Sequence, residues 1–169
     1  MKQENYLVQK EAVKKLQDLI SEIDVCLFQS GLSEGDASSY RPMSTKGVDE
    51  EGNIWFFSPR DSEKNREINR DPHVRLIYSH PGKSSFLILT GEAQILFDQE
   101  KINELWNSLD KTWFKEGKDD PNISILKITP DSGHYWDTKG NQMINFLKMI
   151  ASAATGTTLV EGEEGRLKI

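Results

Sequence analysis

This chain of 169 residues is poor in the side chains that build the most recognisable chemical sites. It has one cysteine, Cys26, set between Val25 and Leu27. A single cysteine excludes an internal disulfide, and its apolar neighbours suggest a small buried hydrophobe rather than a nucleophile. It has three histidines, His73, His80 and His134, in separate segments without metal-ligand spacing. No metal site is expected, and each reads as a surface or structural histidine. Long apolar runs are missing: stretches such as Phe86-Leu87-Ile88-Leu89 fall far short of the roughly 20 residues that cross a bilayer as a helix. The first residues are polar and charged, with no apolar core of a signal peptide. The expectation is a cytoplasmic protein without a membrane partner. Basic clusters are missing too. With 21 Lys and Arg against 27 Asp and Glu, the net charge of -6 argues against nucleic acid as the main partner. There is no G-x-G-x-x-G after a strand, no P-loop, no H-E-x-x-H and no G-x-S-x-G elbow. No internal repeat or low-complexity block occurs.

What is present is a balanced composition, 36% hydrophobic and 28% charged, in a length that suits one domain spanning residues 1–169. Apolar residues at Leu7, Val8, Ala12, Val13, Leu16, Leu19, Ile20 and Ile23 make one helical stripe, which predicts a helix over 4–23. Segments 25–28, 41–46, 54–57, 73–78, 85–97, 123–128 and 133–137 read as strands, with Gly91 as a bulge or bend in the fifth. Thr129-Pro130 ends the sixth strand, and residues 30–40 read as loop. Ser62 and Asp98 are helix caps. Met143, Phe146, Leu147, Ile150 and Ala154 predict a C-terminal helix, followed by a loose tail over 156–169. Strands do not alternate regularly with helices, so a doubly wound parallel sheet is not expected. A mainly β antiparallel barrel with peripheral helices fits. Its core spans about 25–137, with the helix and tail at 141–169 outside it.

The densest chemistry lies in residues 41–64. Arg41, Pro42, Met43, Ser44, Thr45 and Lys46 form an extended run with a cation at each end. A polar turn with Gly52 follows, then the strand holding Phe57 and Ser58. Ser62 caps a helix that carries Glu63 and Lys64 in its first turn. Cations, a hydroxyl and free backbone N–H groups converging in this way make a phosphate site. The plainer alternative is an ordinary hairpin with solvated charges. Trp113 and Phe114, two large aromatics in the otherwise polar loop 110–117, are either a packed anchor or a cover for a flat ligand.

The run RPMSTK…GNIWFFSPRDSEKNREINRDPHVRLIY resembles the pyridoxamine 5′-phosphate oxidase-like split barrels, and is most similar to their general stress protein branch. LTGEAQILFD, LWN, HYWD and WFKEGKDDPNISILKITP carry the same resemblance, so it spans about 25–137. It implies a six-stranded antiparallel Greek-key split β-barrel. It also implies a homodimer, with one flavin mononucleotide (FMN) in each of two clefts at the subunit interface. Carried over by motif, Arg41 and Lys64 hold the FMN phosphate together with Ser62 and the helix start at Glu63. Pro42, Met43, Ser44, Thr45 and Lys46 run along the isoalloxazine and ribityl chain. Phe57 and Ser58 match an aromatic-hydroxyl pair beside the flavin, and Trp113 arrives from the other subunit. Lys46 is the candidate cation at the pyrimidine edge of the ring, where reduced flavin needs one.

Two departures narrow the function. Pyridoxamine phosphate oxidases carry a second cation just before the phosphate-binding lysine, where this chain has Glu63. They also carry a C-terminal Arg-x-His, which this chain lacks. Pyridoxamine phosphate oxidation is therefore not expected. What the resemblance implies is a flavin-dependent oxidoreductase of unknown substrate, with a nicotinamide or another small molecule as redox partner. The alternative is a flavin-binding or sequestering stress protein without turnover. No catalytic residue is assigned. FMN is favoured over FAD, although related barrels bind FAD, a deazaflavin or haem.

Overall fold

Val13, Leu16, Leu19 and Ile20 recur at helical spacing and are all buried, so helix α1 (Lys2–Glu22) docks on the sheet through that one face. The computed structural model describes residues 2–137 and 163–167. After α1 come β1 (Val25–Ser30), β2 (Ser39–Ser44), β3 (Gly47–Val48), β4 (Ile54–Pro59), α2 (Glu63–Arg70) and β5 (His73–His80). They are followed by β6 (Ser85–Leu96), α3 (Gln99–Leu105), β7 (Ile123–Asp137) and β8 (Glu163–Leu167).

All strand pairings are antiparallel. Seven strands follow the order β2-β1-β5-β6-β7-β4-β3, and β8 adds to β7. The two ends of this path, β2 and β3, are consecutive in the chain. Thr45 and Lys46 join them, so the chain itself curls the sheet into a half-barrel. The class is the mainly β, antiparallel one expected, with more strands than the six of the resemblance. The short β3 and the C-terminal β8 make the difference.

The interior is filled from α1 and the inward faces of the strands, with Phe28, Ile54, Phe56, Leu76, Tyr78 and Leu87 among its largest members. A second cluster of Trp55, Ile102, Phe114, Ile123 and Ile125 lies on the other face of the β4–β7 pair, beneath α3. Strand β4 is thus covered on both faces. That accounts for its unbroken apolar run, where a half-solvated strand would alternate.

Three expectations need correction. Residues 123–128 and 133–137 are one strand, not two. Pro130 sits inside β7 opposite Gly91, where the β6–β7 register shifts, and a bulge tolerates the missing N–H of proline. Residues 30–40 are not all loop: a 3-10 turn occupies Leu32–Ala37 and β2 starts at Ser39. Residues 163–167, expected in a loose tail, form β8 against residues 133–137. The expected helix over 141–154 lies outside the described residues. Among the described residues, no helix is long and apolar enough to cross a membrane.

Gly91 is required by space. A Cβ built there would lie 2.4 Å from the Thr129 carbonyl oxygen and 2.8 Å from Pro130 Cα, both backbone atoms of the paired strand. Gly91→Ala should therefore lower stability by about 1–3 kcal/mol, as overpacking does. A Cβ at Gly47 meets nothing within 4 Å, so Gly47→Ala serves as the control and should stay within about 0.5 kcal/mol of the parent. Denaturant midpoints check this, and equal midpoints for the two variants would refute it.

Candidate functional site

The crossing from β2 to β3 is held at each step. Thr45 N–H donates to the Asp24 carbonyl at 2.7 Å, and Lys46 N–H donates to the Trp55 carbonyl at 2.7 Å. The Thr45 hydroxyl lies 2.7 Å from the hydroxyl of the buried Tyr78. Along β2, Arg41 and Met43 share the half-buried face, while Pro42 and Ser44 are exposed on the other. A cleft of about 330 Å³ runs between the end of α1 and this crossing, with Thr45, Lys46, Gly47 and Asp24 in its walls.

Behind β2 stands a cationic corner. The Glu67 carboxylate, 3% exposed, accepts hydrogen bonds from the Ser30 and Ser39 hydroxyls and from Arg41 Nη2 at 3.0 Å. Arg41 Nη1 donates to Ser30 Oγ at 2.7 Å. Burial disfavours a charged Glu67, but these donors outweigh it and hold its carboxyl below the ordinary glutamate range. Beside this network sits Lys64, buried at 7% exposure. Among the described residues, none pairs with its ammonium. Burial, and after it the neighbouring Arg41 charge, pull its pKa down to about 8, while Glu67 acts in the opposite direction. With Lys64 protonated, Arg41, Lys64 and Glu67 sum to one net positive charge in a partly dry place.

The helix start beside that corner is fixed by local chemistry. Ser62 Oγ accepts from Asn65 N–H at 3.2 Å, as an N-cap should. It does not accept from Glu63 or Lys64, whose N–H groups a helix start leaves without intrahelical partners. The Glu63 side chain is exposed. Ser58 is fully buried and donates to Asn65 Oδ1 at 2.7 Å, and Asn65 Nδ2 donates to Ser124 Oγ at 2.9 Å. Ser58 therefore helps to tie α2 to β4 and β7.

The other end of the crossing carries Lys46. Its ammonium donates to both carboxylate oxygens of Asp110, at 2.8 and 2.7 Å, with the two side chains 6% and 13% exposed. It also lies 5.1 Å from the centre of the Phe57 ring, which packs on Trp106 and Phe114. Asp110 belongs to a 3-10 turn, Ser108–Thr112, and closes a capping box by accepting from Asn107 N–H at 2.8 Å. The two aromatics of the loop part company. Phe114 is buried in the second core cluster and anchors the loop, whereas Trp113 is 77% exposed.

The structure thus gathers the expected residues into two groups. Arg41, Ser62, Glu63 and Lys64 gather at the cationic corner, with Ser58 tying α2 behind it. Lys46 and Phe57 form the other group, and residues 42–45 connect the two along one strand. Trp113 stands apart on the surface. Glu67, Ser30, Ser39 and Asp110 went unnoticed in the sequence. Glu67 had a local signal, since it lies three residues after Lys64 and on the same helix face. Asp110 had another, in the Asn107-x-x-Asp110 spacing of a capping box.

The family model described as "Pyridoxamine 5'-phosphate oxidase like" matches residues 11–160. The chain belongs to this family. General stress protein 26 of Bacillus subtilis (strain 168) is 31% identical over 81 residues. That match covers 46% of this chain and 57% of the relative, so it spans little more than half of that protein. Among solved structures, one described as a general stress protein 26 from Jannaschia sp. CCS1 superposes with a TM-score of 0.73. It is 23% identical, and the alignment covers 94% of this chain and 96% of that one. The general stress FMN/FAD binding protein of Xanthomonas citri superposes with a TM-score of 0.63 at 24% identity, covering 76% of this chain and 89% of that one. At these identities the structures bear on the fold, and the split-barrel expectation stands.

In this pyridoxamine oxidase-like chain the buried Lys64 charge opposes folding. Between pH 8 and its ordinary range near 10.5, the unfolded chain binds the proton that the folded chain releases, so stability rises with pH there. Below pH 8 the full penalty applies, on the order of 3 kcal/mol. Lys64→Met, which keeps the stem and removes the charge, should stabilise the ligand-free protein at pH 7. That advantage should shrink as pH is raised towards 10. Urea titrations at both pH values check this, and a Lys64→Met variant less stable than the parent at pH 7 would contradict it.

Proposed function

We propose that the chain binds FMN, with the phosphate held between Arg41, Lys64 and the first turn of α2. One observation carries this: a lysine only 7% exposed, whose ammonium pairs with none of the described residues, kept beside a second cation. Such an arrangement opposes folding and makes physical sense as a waiting anion site. A phosphate bearing nearly two negative charges would turn the net positive corner into a satisfied one. The flavin-binding description of the Xanthomonas citri relative supports the choice of a flavin, and the corner's one net positive charge suits the single phosphate of FMN. The ribityl chain and ring would lie along Pro42, Met43, Ser44, Thr45 and Lys46, towards Phe57.

FMN when bound supplies a hydride acceptor, so a flavin-dependent oxidoreductase acting on a small substrate, with a nicotinamide as electron donor, is the activity we propose. The protein residues then act by binding and orienting. A second reading, flavin binding without turnover, is favoured by the Lys46–Asp110 pair, since Asp110 already compensates the Lys46 charge at the ring end. Stopped-flow mixing of the FMN-loaded protein with NADH or NADPH decides between them. A cytoplasmic setting fits Cys26, whose thiol burial pushes up to about 12 and out of reach of disulfide exchange.

We propose further that the protein works as a homodimer with the flavin at the subunit interface. Val25 and Leu27 on β1, Ile77 on β5 and Phe86 and Ile88 on β6 face outward on neighbouring strands, and Val25, Leu27 and Phe86 are each more than 40% exposed. Ile77, Phe86 and Ile88 with Trp136 line a shallow groove of about 340 Å³. An apolar strip across adjacent strands is what a second copy would cover, at the roughly 1,600 Å² of a standard interface. Trp113, exposed in one subunit, would gain its cover there.

Two outcomes test these proposals. Lys64→Met should weaken FMN by about 1.5–3 kcal/mol, and the same exchange at the exposed Lys10 should not. Arg41 is a poorer probe, because its removal strands the buried Glu67 carboxylate at about 3–5 kcal/mol of stability. In the parent protein, FMN affinity should also fall as pH rises above 8, where Lys64 loses its proton. Equal titrations for parent and both variants would remove the assignment. Light scattering at micromolar concentration should show a dimer for the parent and a monomer for Phe86→Asp, and a monomeric parent would remove the dimer.

A further inference from the structure

The ring end of the site poses an electrostatic problem of its own. Lys46 is the one lysine on the β2–β3 crossing, and its charge is already taken by Asp110 through both carboxylate oxygens, at 2.8 and 2.7 Å. The pair is nearly dry, at 6% and 13% exposure, with Phe57 as one wall. In such surroundings a carboxylate at contact distance cancels an ammonium far more completely than it would in water. Asp110 is itself held in place, because Oδ2 accepts from Asn107 N–H at 2.8 Å and so locks the carboxylate to the turn. The side chain bridges 64 positions of sequence, from the Ser108–Thr112 turn to the barrel crossing.

Two-electron reduction of FMN with uptake of one proton leaves a negative charge on the pyrimidine side of the ring, and a free cation there would stabilise the reduced form. A neutral ion pair would not. We propose that Asp110 is a positioning residue that neutralises Lys46, so that this site holds oxidised FMN in preference to reduced FMN. This rests on the reading of the chain as an FMN protein with Lys46 at the ring. With FMN bound, the pair would make the flavin harder to reduce than an uncompensated Lys46 would.

The test compares the affinities for oxidised and dithionite-reduced FMN, measured anaerobically with the full-length protein, its Asp110→Asn variant and the Lys46→Met/Asp110→Asn double variant. Asparagine keeps the oxygen that caps Asn107 while losing the charge. Asp110→Asn should favour reduced over oxidised FMN about tenfold relative to the parent, equivalent to about 30 mV for a two-electron couple. The double variant, again neutral at this place, should return to the parent ratio, and Asp110→Glu should stay near it. A merely structural Asp110 would change both affinities alike and leave the ratio fixed. An unchanged ratio in Asp110→Asn, or no return in the double variant, overturns the proposal while FMN binding itself stands. Failure of the parent to bind FMN at all overturns both.

Discussion

The cationic corner depends on one buried carboxylate. Glu67 takes hydrogen bonds from two hydroxyls and a guanidinium, and these bring together three elements that are remote in sequence: the end of β1, the start of β2 and the middle of α2. Without Glu67, Arg41 would be free to swing to solvent, and two like charges would be left to repel each other across a buried gap. With it, Arg41 is fixed by a direct ion pair, while the Lys64 ammonium pairs with none of the described residues. That asymmetry is what supports the proposed reading of the corner as an anion site rather than a closed ion-pair network. Arg41 thus has two duties. It pins β2 to α2 and, on the proposed reading, offers its remaining donors to a ligand.

Stability and readiness conflict here. A lysine whose pKa is drawn down to about 8 by burial and by a neighbouring cation weakens the fold that carries it. Proteins tolerate such penalties where a ligand removes them. The ring end resolves the same tension differently, since Lys46 is compensated by Asp110 within the chain. One cation thus waits for an outside partner and the other has an inside one. On this account the phosphate supplies affinity, and the ring end sets which form of the flavin is preferred.

Local signals in the sequence carried much of this. The cap at Ser62, the stripe of α1, the strand at 54–57 and the bulge at Gly91 follow from short-range rules, and each is where those rules put it. Long-range partners were not legible. Glu67 matters because β1 pairs with β2 so that Ser30 lies opposite Ser39, a register no local pattern reports. Asp110 meets Lys46 only because the barrel closes at the crossing. Proline misled at Pro130, where a bulge in its own strand, with Asp131 as the extra residue, lets the strand continue. Trp113 and Phe114 are indistinguishable in sequence, and only packing separates the buried anchor from the exposed ring.

The most direct measurement of the central claim is isothermal titration of the protein with FMN and with riboflavin, which shares the ring and ribityl chain but lacks the phosphate. If Arg41, Lys64 and the α2 start grip phosphate, FMN binds tighter than riboflavin by at least about 10- to 100-fold, the equivalent of a single charge-assisted hydrogen bond. Equal affinity for the two ligands would contradict the account.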